Sequence, residues 1–181
     1  MLLKYYVDKG VLKHLWRNAY AFAKDLNRFV IANGLHGPSY LSYETALSIY
    51  SLIPERVNDV LSVTTTKKEY KTPCGRFIFR GQNSHLFALG MSRIEHYNEK
   101  ILIATKEKAI LDTLASARLN CSKATNQEIF EYVTDGLRID SSELFKLKIT
   151  HVKTMSKLYR NRAPIMFFEQ LSQLIKRARK P

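Results

Sequence analysis

The sequence predicts an α+β fold: a small, mostly antiparallel central β-sheet flanked by helices, followed by a basic helical C-terminal segment. Three observations carry that expectation. β-branched and alternating apolar runs are concentrated between residues 60 and 104. Apolar residues at helical spacing, opened by capping signals, lie on both sides of that stretch. The chain has 181 residues, 45% of them hydrophobic and 25% charged, which is enough to bury a real core. The same composition excludes a globally disordered, collagen-like or low-complexity chain. No run approaches the roughly 18 consecutive apolar residues of a membrane span.

Residues 2–9 read as a helix with Leu2, Leu3, Tyr6 and Val7 on one face, stopped by Gly10. Val11 to Phe22 reads as a β-hairpin turning at Trp16-Arg17-Asn18, with Tyr20 and Phe22 on one side. A short helix, a glycine and a basic-tipped hairpin follow one another in this order at the end of a winged helix-turn-helix unit. Residues 1–24 are therefore expected to form a partial winged-helix unit, and residues 25–181 a second domain. A helix from Asp25 to Ala32 is expected to end at Asn33-Gly34. His36-Gly37-Pro38 is a turn and Tyr40-Leu41 a short strand. Ser42 has the character of an N-cap, with Glu44 in the first turn of a helix carrying Ala46, Leu47, Ile49, Tyr50 and Ile53 up to Pro54.

The centre is β-rich. Val60 to Thr66 is β-branched, and Lys67 to Lys71 continues it or forms an exposed arm. Thr72-Pro73-Cys74-Gly75 is turn chemistry, and Arg76 to Arg80 alternates. Met91 to His96 and Lys100 to Ala104 are two further strands, split by Asn98-Glu99. Thr105 caps a helix with a stripe of Ala109, Ile110, Thr113, Leu114 and Ala117. Thr125-Asn126-Gln127-Glu128 is a capping box opening a helix to about Thr134, with Gly136 as its stop. Asp140 to Tyr159 reads as one helix. Pro164 fits the first turn of a last helix that buries Met166 or Phe167, Leu171, Leu174 and Ile175. Residues 141–181 thus form a basic helical hairpin.

Lys and Arg number 29 against 16 Asp and Glu, a net charge of +13 and a pI near 9.8. Residues 141–181 hold ten basic residues against two acidic ones, and the first 28 residues six against two. Two basic ends around a nearly neutral centre suit a polyanionic partner. At the N-terminal end the DNA-binding candidates are Lys4, Lys9, Lys13, His14, Arg17 and Asn18, the last four at the hairpin, where they could reach phosphates or a minor groove. Trp16 beside them suits either a core or a contact role. At the C-terminal end Lys146, Lys153, Lys157, Arg160 and Arg162 are interleaved with Tyr159 and His151. That face suits nucleic acid or an acidic protein surface equally. Arg177 to Pro181 reads as a solvated tail.

Catalytic signals are sparse. There is no Gly-rich phosphate loop, His-Glu-x-x-His, paired Cys-x-x-Cys or Gly-x-Ser-x-Gly, and the five histidines show no ligand spacing. No catalytic residue, metal or cofactor is expected. Asp59 followed by Glu69-Tyr70-Lys71 resembles the carboxylate set of Mg²⁺-dependent nucleases, but reads more simply as a solvated hairpin. Cys74 and Cys121 are read as reduced thiols of a cytoplasmic protein.

Three blocks carry a family resemblance. They are Gly37-Pro38-Ser39-Tyr40-Leu41-Ser42-Tyr43-Glu44 continuing to Glu55, then Val63-Thr64-Thr65 with Thr72 to Phe77, then Ile101 to Asp112. In this order and at these separations the chain resembles the AbiEi antitoxin family over about residues 2–115, and Gly10 to Phe22 looks like that family's wing. The resemblance implies a bacterial, non-enzymatic antitoxin of a type IV toxin–antitoxin, or abortive-infection, system. It implies an N-terminal winged helix that binds operator DNA and represses the protein's own operon, as a transcriptional regulator. It implies a C-terminal domain that counters a nucleotidyltransferase-like toxin. Only about nine residues precede Gly10, so the winged helix is expected to be partial, and its bare apolar helix suits a homodimer. The alternatives are a stand-alone DNA- or RNA-binding regulator and the Mg²⁺-dependent nuclease. Ser42 to Pro54 and Glu107 to Asp112 read as caps and core stripes.

Overall fold

The computed structural model describes residues 2–24 and 26–178. The expected helix start at Asp25 and the basic residues Arg179 and Lys180 lie outside the described residues. Helix α1 (Leu2–Asp8) ends as expected at Gly10, whose φ of +69° lets Gly10 N–H bond Val7 O and Val11 N–H bond Tyr6 O. Strands β1 (Leu12–Trp16) and β2 (Ala19–Phe22) form a separate two-stranded sheet, turning at Arg17-Asn18. Leu15 is buried, and Trp16 packs edge-on against Tyr70 with ring centroids 5.6 Å apart. Trp16 is therefore the residue that docks the hairpin on the main body.

The main sheet has six strands: β3 (Ser39–Leu41), β4 (Val60–Thr64), β5 (Lys68–Thr72), β6 (Gly75–Gly81), β7 (Met91–His96) and β8 (Glu99–Ala104), in the order β5-β6-β4-β3-β8-β7. It is mostly antiparallel as expected, through the β3–β4, β5–β6 and β7–β8 pairings, but mixed, because β6 runs parallel to β4 and β3 parallel to β8. The side chains explain the order. β6 contributes Phe77 and Phe79, both fully buried, and so lies inside. β5 carries Lys68, Glu69 and Lys71 exposed, and so takes the edge, where charge blocks further strand pairing. Inserting β6 between β4 and β5 makes it run parallel to β4. Tyr97 and Asn98, both at positive φ, make the two-residue β7–β8 turn, so Glu99 belongs to the strand rather than to the turn.

Helix α2 (Arg28–Leu35) starts at the Asn27 cap and runs through Asn33-Gly34, past the expected stop. Asn33 is retained in the helix because its amide bonds both backbone groups of Leu102, at 3.1 and 2.7 Å. Helix α3 (Tyr43–Ile49) ends well before Pro54. Ser51, at φ +55°, closes it with Leu52 N–H bonded to Leu47 O and Ser51 N–H to Ser48 O. A short α4 (Ser84–Phe87) is capped by Asn83. Helix α5 (Lys106–Ser116) is capped by Thr105 and packs against α3. The capping box at Thr125 and Glu128 opens α6 (Asn126–Glu131), which continues as a π-helical turn to Gly136. The single helix expected over Asp140 to Tyr159 is two, α7 (Ser141–Phe145) and α8 (Ile149–Ser156). The break falls where Lys148 N–H bonds the buried Glu107 carboxylate of α5 at 2.9 Å. Helix α9 (Ala163–Ala178) buries both Met166 and Phe167, and Phe167 stacks on Phe130. Among the described residues no helix is long and apolar enough to cross a membrane.

The start of α5 depends on Gly90. Its φ is +66°, its carbonyl accepts Thr105 N–H at 2.7 Å, and an added Cβ would lie 2.9 Å from Lys108 Cβ and 2.7 Å from Met155 Sδ. The Met155 sulfur can swing aside, but the Lys108 Cβ is fixed by its helix. Gly90→Ala combines left-handed strain with overpacking and is expected to cost about 2 kcal/mol or more. The urea midpoint at constant m-value measures it.

Candidate functional site

The N-terminal basic residues are distributed over α1 and the hairpin. Lys4 and Lys9 are exposed on and just after α1, with Lys9 Nζ 5.8 Å from the Tyr5 ring centroid. Lys13 and His14 point to opposite sides of β1, opposite Ala21 and Tyr20. The exposed His14 ring lies against Tyr20, with Nε2 2.6 Å from Arg17 O, so it shapes the turn as well as facing solvent. Arg17 (φ +38°) and Asn18 form the exposed tip. The sequence reading missed Lys68. Its place opposite Phe79 puts it on the docking face, where it shares a cleft of about 410 Å³ with Trp16, Arg17, Asn18 and Tyr70.

The C-terminal basic residues lie on or beside α7, α8 and the start of α9, and of the aromatic groups read with them His151 is exposed on α8. Lys146 is paired with Glu143 at 2.5 Å, and Glu143 also bonds Lys106. Lys153 is exposed on α8 and Lys157 follows its last turn. Arg160 and Arg162 lie in the connection to α9. Tyr159 is turned inward, away from the basic residues, for the reason that follows.

The buried polar centre of the molecule is Asp112 on α5. Its Oδ1 accepts hydrogen bonds from Lys108 Nζ at 2.6 Å, Gln82 Nε2 at 2.5 Å and Tyr159 OH at 2.6 Å. Its Oδ2 accepts from Ser42 Oγ at 2.6 Å. Lys108 Nζ also donates to Gln82 Oε1 at 2.8 Å and Tyr159 OH at 3.1 Å, which uses all three ammonium protons. The Lys108 and Asp112 side chains are wholly inaccessible to solvent. Burial pushes the Lys108 ammonium below its ordinary value, against the opposing pull of Asp112. Burial first, and then the Asp112 charge, push the hydroxyls of Tyr159, Tyr40 and Tyr43 upward.

Beside this network opens a cleft of about 500 Å³, walled by Tyr43, Arg80, Asn83 and Arg160 with Asp112 at its back. Tyr43 has φ +55°, a left-handed backbone that costs about 1–2 kcal/mol in an L-residue. Its ring lies under the Arg80 guanidinium, 4.6 Å from the centroid. Ser42 precedes α3 as expected, but its hydroxyl bonds Asp112 instead of capping the helix. The one local signal of this site was Lys108 and Asp112 at i,i+4 on a helix otherwise apolar at Ala109, Ile110, Leu111 and Leu114. Gln82 and Tyr159 come from 30 and 47 positions away from Asp112 and had none.

The nuclease-like carboxylates have another partner. Arg76 bonds Glu69 through two nitrogens, at 2.8 and 3.1 Å, and Asp59 at 3.1 Å, and its hydrogen bond lowers the Glu69 pKa. Among the described residues no three His, Cys, Asp or Glu side chains gather as metal ligands. Cys74 and Cys121 are unpaired thiols. Comparison with protein-family models and with curated proteins found no match.

Removing one member of the buried pair strands the other. Asp112→Ala is expected to cost about 3–5 kcal/mol, whereas Lys108→Met with Asp112→Leu costs far less than the two single changes added together. A double-mutant cycle by denaturant unfolding measures the coupling. A second expectation concerns alkaline pH. Above about pH 10 the unfolded chain gives up tyrosine protons that native Tyr40, Tyr43 and Tyr159 retain, so stability falls as pH rises. Lys108 acts in the opposite sense, because its native form loses its proton first, but it is one group against these three and against Tyr50 and Tyr132, which burial also pushes upward. Unfolding midpoints between about pH 8 and 11 are expected to drop past pH 10, and to drop less steeply in Tyr159→Phe.

Proposed function

We propose that this chain is an antitoxin-type regulator of the kind its sequence blocks resemble. In this reading α1 and the hairpin are the DNA-facing end of a winged-helix unit. The larger unit counters a nucleotidyltransferase-like toxin, and the protein is not an enzyme. The observation that carries the DNA half is the basic hairpin docked on the edge of the main body. Its tip exposes Arg17 and Asn18, Lys68 of β5 lines the same cleft, Lys13 lies further back on β1, and Leu15 and Trp16, next to the turn, anchor the tip end on the main body. Arginine and lysine on a rigid, docked hairpin suit phosphate contacts. The family half is supported by the meeting of the resembling blocks in space. Ser42 of the first and Asp112 of the third, 70 positions apart, share a buried hydrogen bond.

Fluorescence anisotropy with the protein's own upstream DNA and with a scrambled duplex, across a salt series, tests the DNA half. A preference of about a hundredfold or more at physiological salt is expected, with Lys13→Ala and Arg17→Ala each reducing the salt slope by about one. Equal binding of both duplexes, lost together as salt rises, would reduce the hairpin to bare charge attraction and leave the stand-alone nucleic-acid-binding alternative. Growth rescue on co-expression with a neighbouring toxin gene tests the other half.

A further inference from the structure

We propose that the cleft beside Asp112 binds the phosphoryl group of a small phosphate monoester. The inference starts from which groups in the cleft are already committed. Asp112 contributes no uncompensated charge, because Lys108 lies against it and four donors saturate its oxygens. The Gln82 and Tyr159 oxygens each accept from Lys108, and the Asn161 carbonyl accepts from Ala163 N–H. Asn83 Oδ1 accepts Leu86 N–H at the start of α4, which leaves its amide protons uncommitted. Among the described residues Arg80 and Arg160 have no carboxylate and no hydrogen-bond partner. The cleft therefore presents two guanidinium groups without an ion pair and an amide donor, its own lining carboxylate Asp112 being compensated; Glu44, Glu55 and Asp59 line a neighbouring pocket that Arg80 shares. A tetrahedral anion with several acceptor oxygens complements that set, and stacking on Tyr43 leaves the edge of Arg80 available for a two-point contact.

The rest of the site has the character of a built one. The buried network touches both arginine-bearing segments: Gln82 lies two residues after Arg80 and next to Asn83, and Tyr159 lies next to Arg160. Anchoring Gln82 and Tyr159 to one carboxylate fixes the spacing between the two cations. A wholly buried ion pair is a poor source of net stability, and here it has a positioning role. The strained backbone of Tyr43 lies at the same wall. Leu86 and Leu158 add apolar surface, and about 500 Å³ exceeds what a free phosphate fills, so the ligand carries an organic portion. The proposal is independent of the DNA reading, because its residues lie outside the hairpin.

Calorimetric titration of the full chain with inorganic phosphate, AMP, glycerol 3-phosphate and adenosine tests it. The expected result is saturable one-to-one binding of the two monoesters, about tenfold or more tighter than inorganic phosphate, and none of adenosine. Arg160→Gln is exposed and leaves the fold intact, and it is expected to weaken AMP about tenfold or more, as is Arg80→Gln. Lys153→Gln removes an exposed charge outside the cleft, Arg17→Ala one at the hairpin, and both are expected to leave binding unchanged. Equal affinity for phosphate and the monoesters, still lost in Arg160→Gln, would support phosphoryl recognition and identify the free ion as its source. No saturation up to roughly 10 mM of any phosphate, or an equal loss in Lys153→Gln, would overturn the proposal.

Discussion

The Asp112 carboxylate is the point at which the architecture is tied together. Ser42 comes from the β3–α3 junction, Gln82 from the end of β6, Lys108 from one turn earlier on α5, and Tyr159 from the link between α8 and α9. A charge in this position is stable only because each donor and acceptor around it is matched, since a half-satisfied buried network is worse than an apolar core. Packing around it is correspondingly tight. Gly90 passes so close to Lys108 that a single methyl does not fit, and Ser42 surrenders the capping role its position suggests. The network fixes the relative position of sheet, central helix and C-terminal helices in a way that apolar contacts alone, being non-directional, do not.

The order of the strands follows from a different constraint. In a mixed sheet of this size the outer strands must resist pairing with other chains, and charge does that at least cost. β5, with exposed Lys68, Glu69 and Lys71, is suited to the outside, and β6, with Phe77 and Phe79, is not. That exchange of places has consequences on both faces. It puts Lys68 on the side where Trp16 docks the hairpin, and Arg80 on the side of Tyr43 and Asp112. β6 thus backs Tyr70, on which Trp16 rests, with Phe79 on one face and supplies a cationic wall of the cleft with Arg80 on the other.

Local chemistry made the elements legible in the sequence. The Thr125–Glu128 capping box, the Gly10 stop, the hairpin turn at Arg17-Asn18 and the Thr105 cap are encoded within a few residues, and the structure has them where the sequence put them. Features governed by distant partners were not legible. Asn33-Gly34 has the composition of a helix stop, but Leu102 holds Asn33 in the helix. Nothing between Asp140 and Tyr159 announces a break, because the group that bonds Lys148 N–H is Glu107. The same limit applied to the candidate sites. The hairpin cluster is contiguous in sequence and could be read there. The Asp112 network draws on four separate segments, and only its i,i+4 pair left a local trace.

The net charge of +13 therefore does not describe one surface. Lys146 is neutralised by Glu143, Lys108 by Asp112, Arg138 by Glu55, and Arg76 by Asp59 and Glu69. Exposed cations without such partners attract a polyanion over roughly a Debye length and give it little orientation. Cations fixed on a rigid element behave differently, because a partner must match their geometry as well as their sign. Two places meet that condition by different means: the hairpin tip through a backbone turn and an anchoring tryptophan, and the cleft through a buried carboxylate that holds two arginine-bearing segments in register. The charge total announces an affinity for anions, and the rigid supports beneath a few of the cations decide where selectivity can arise.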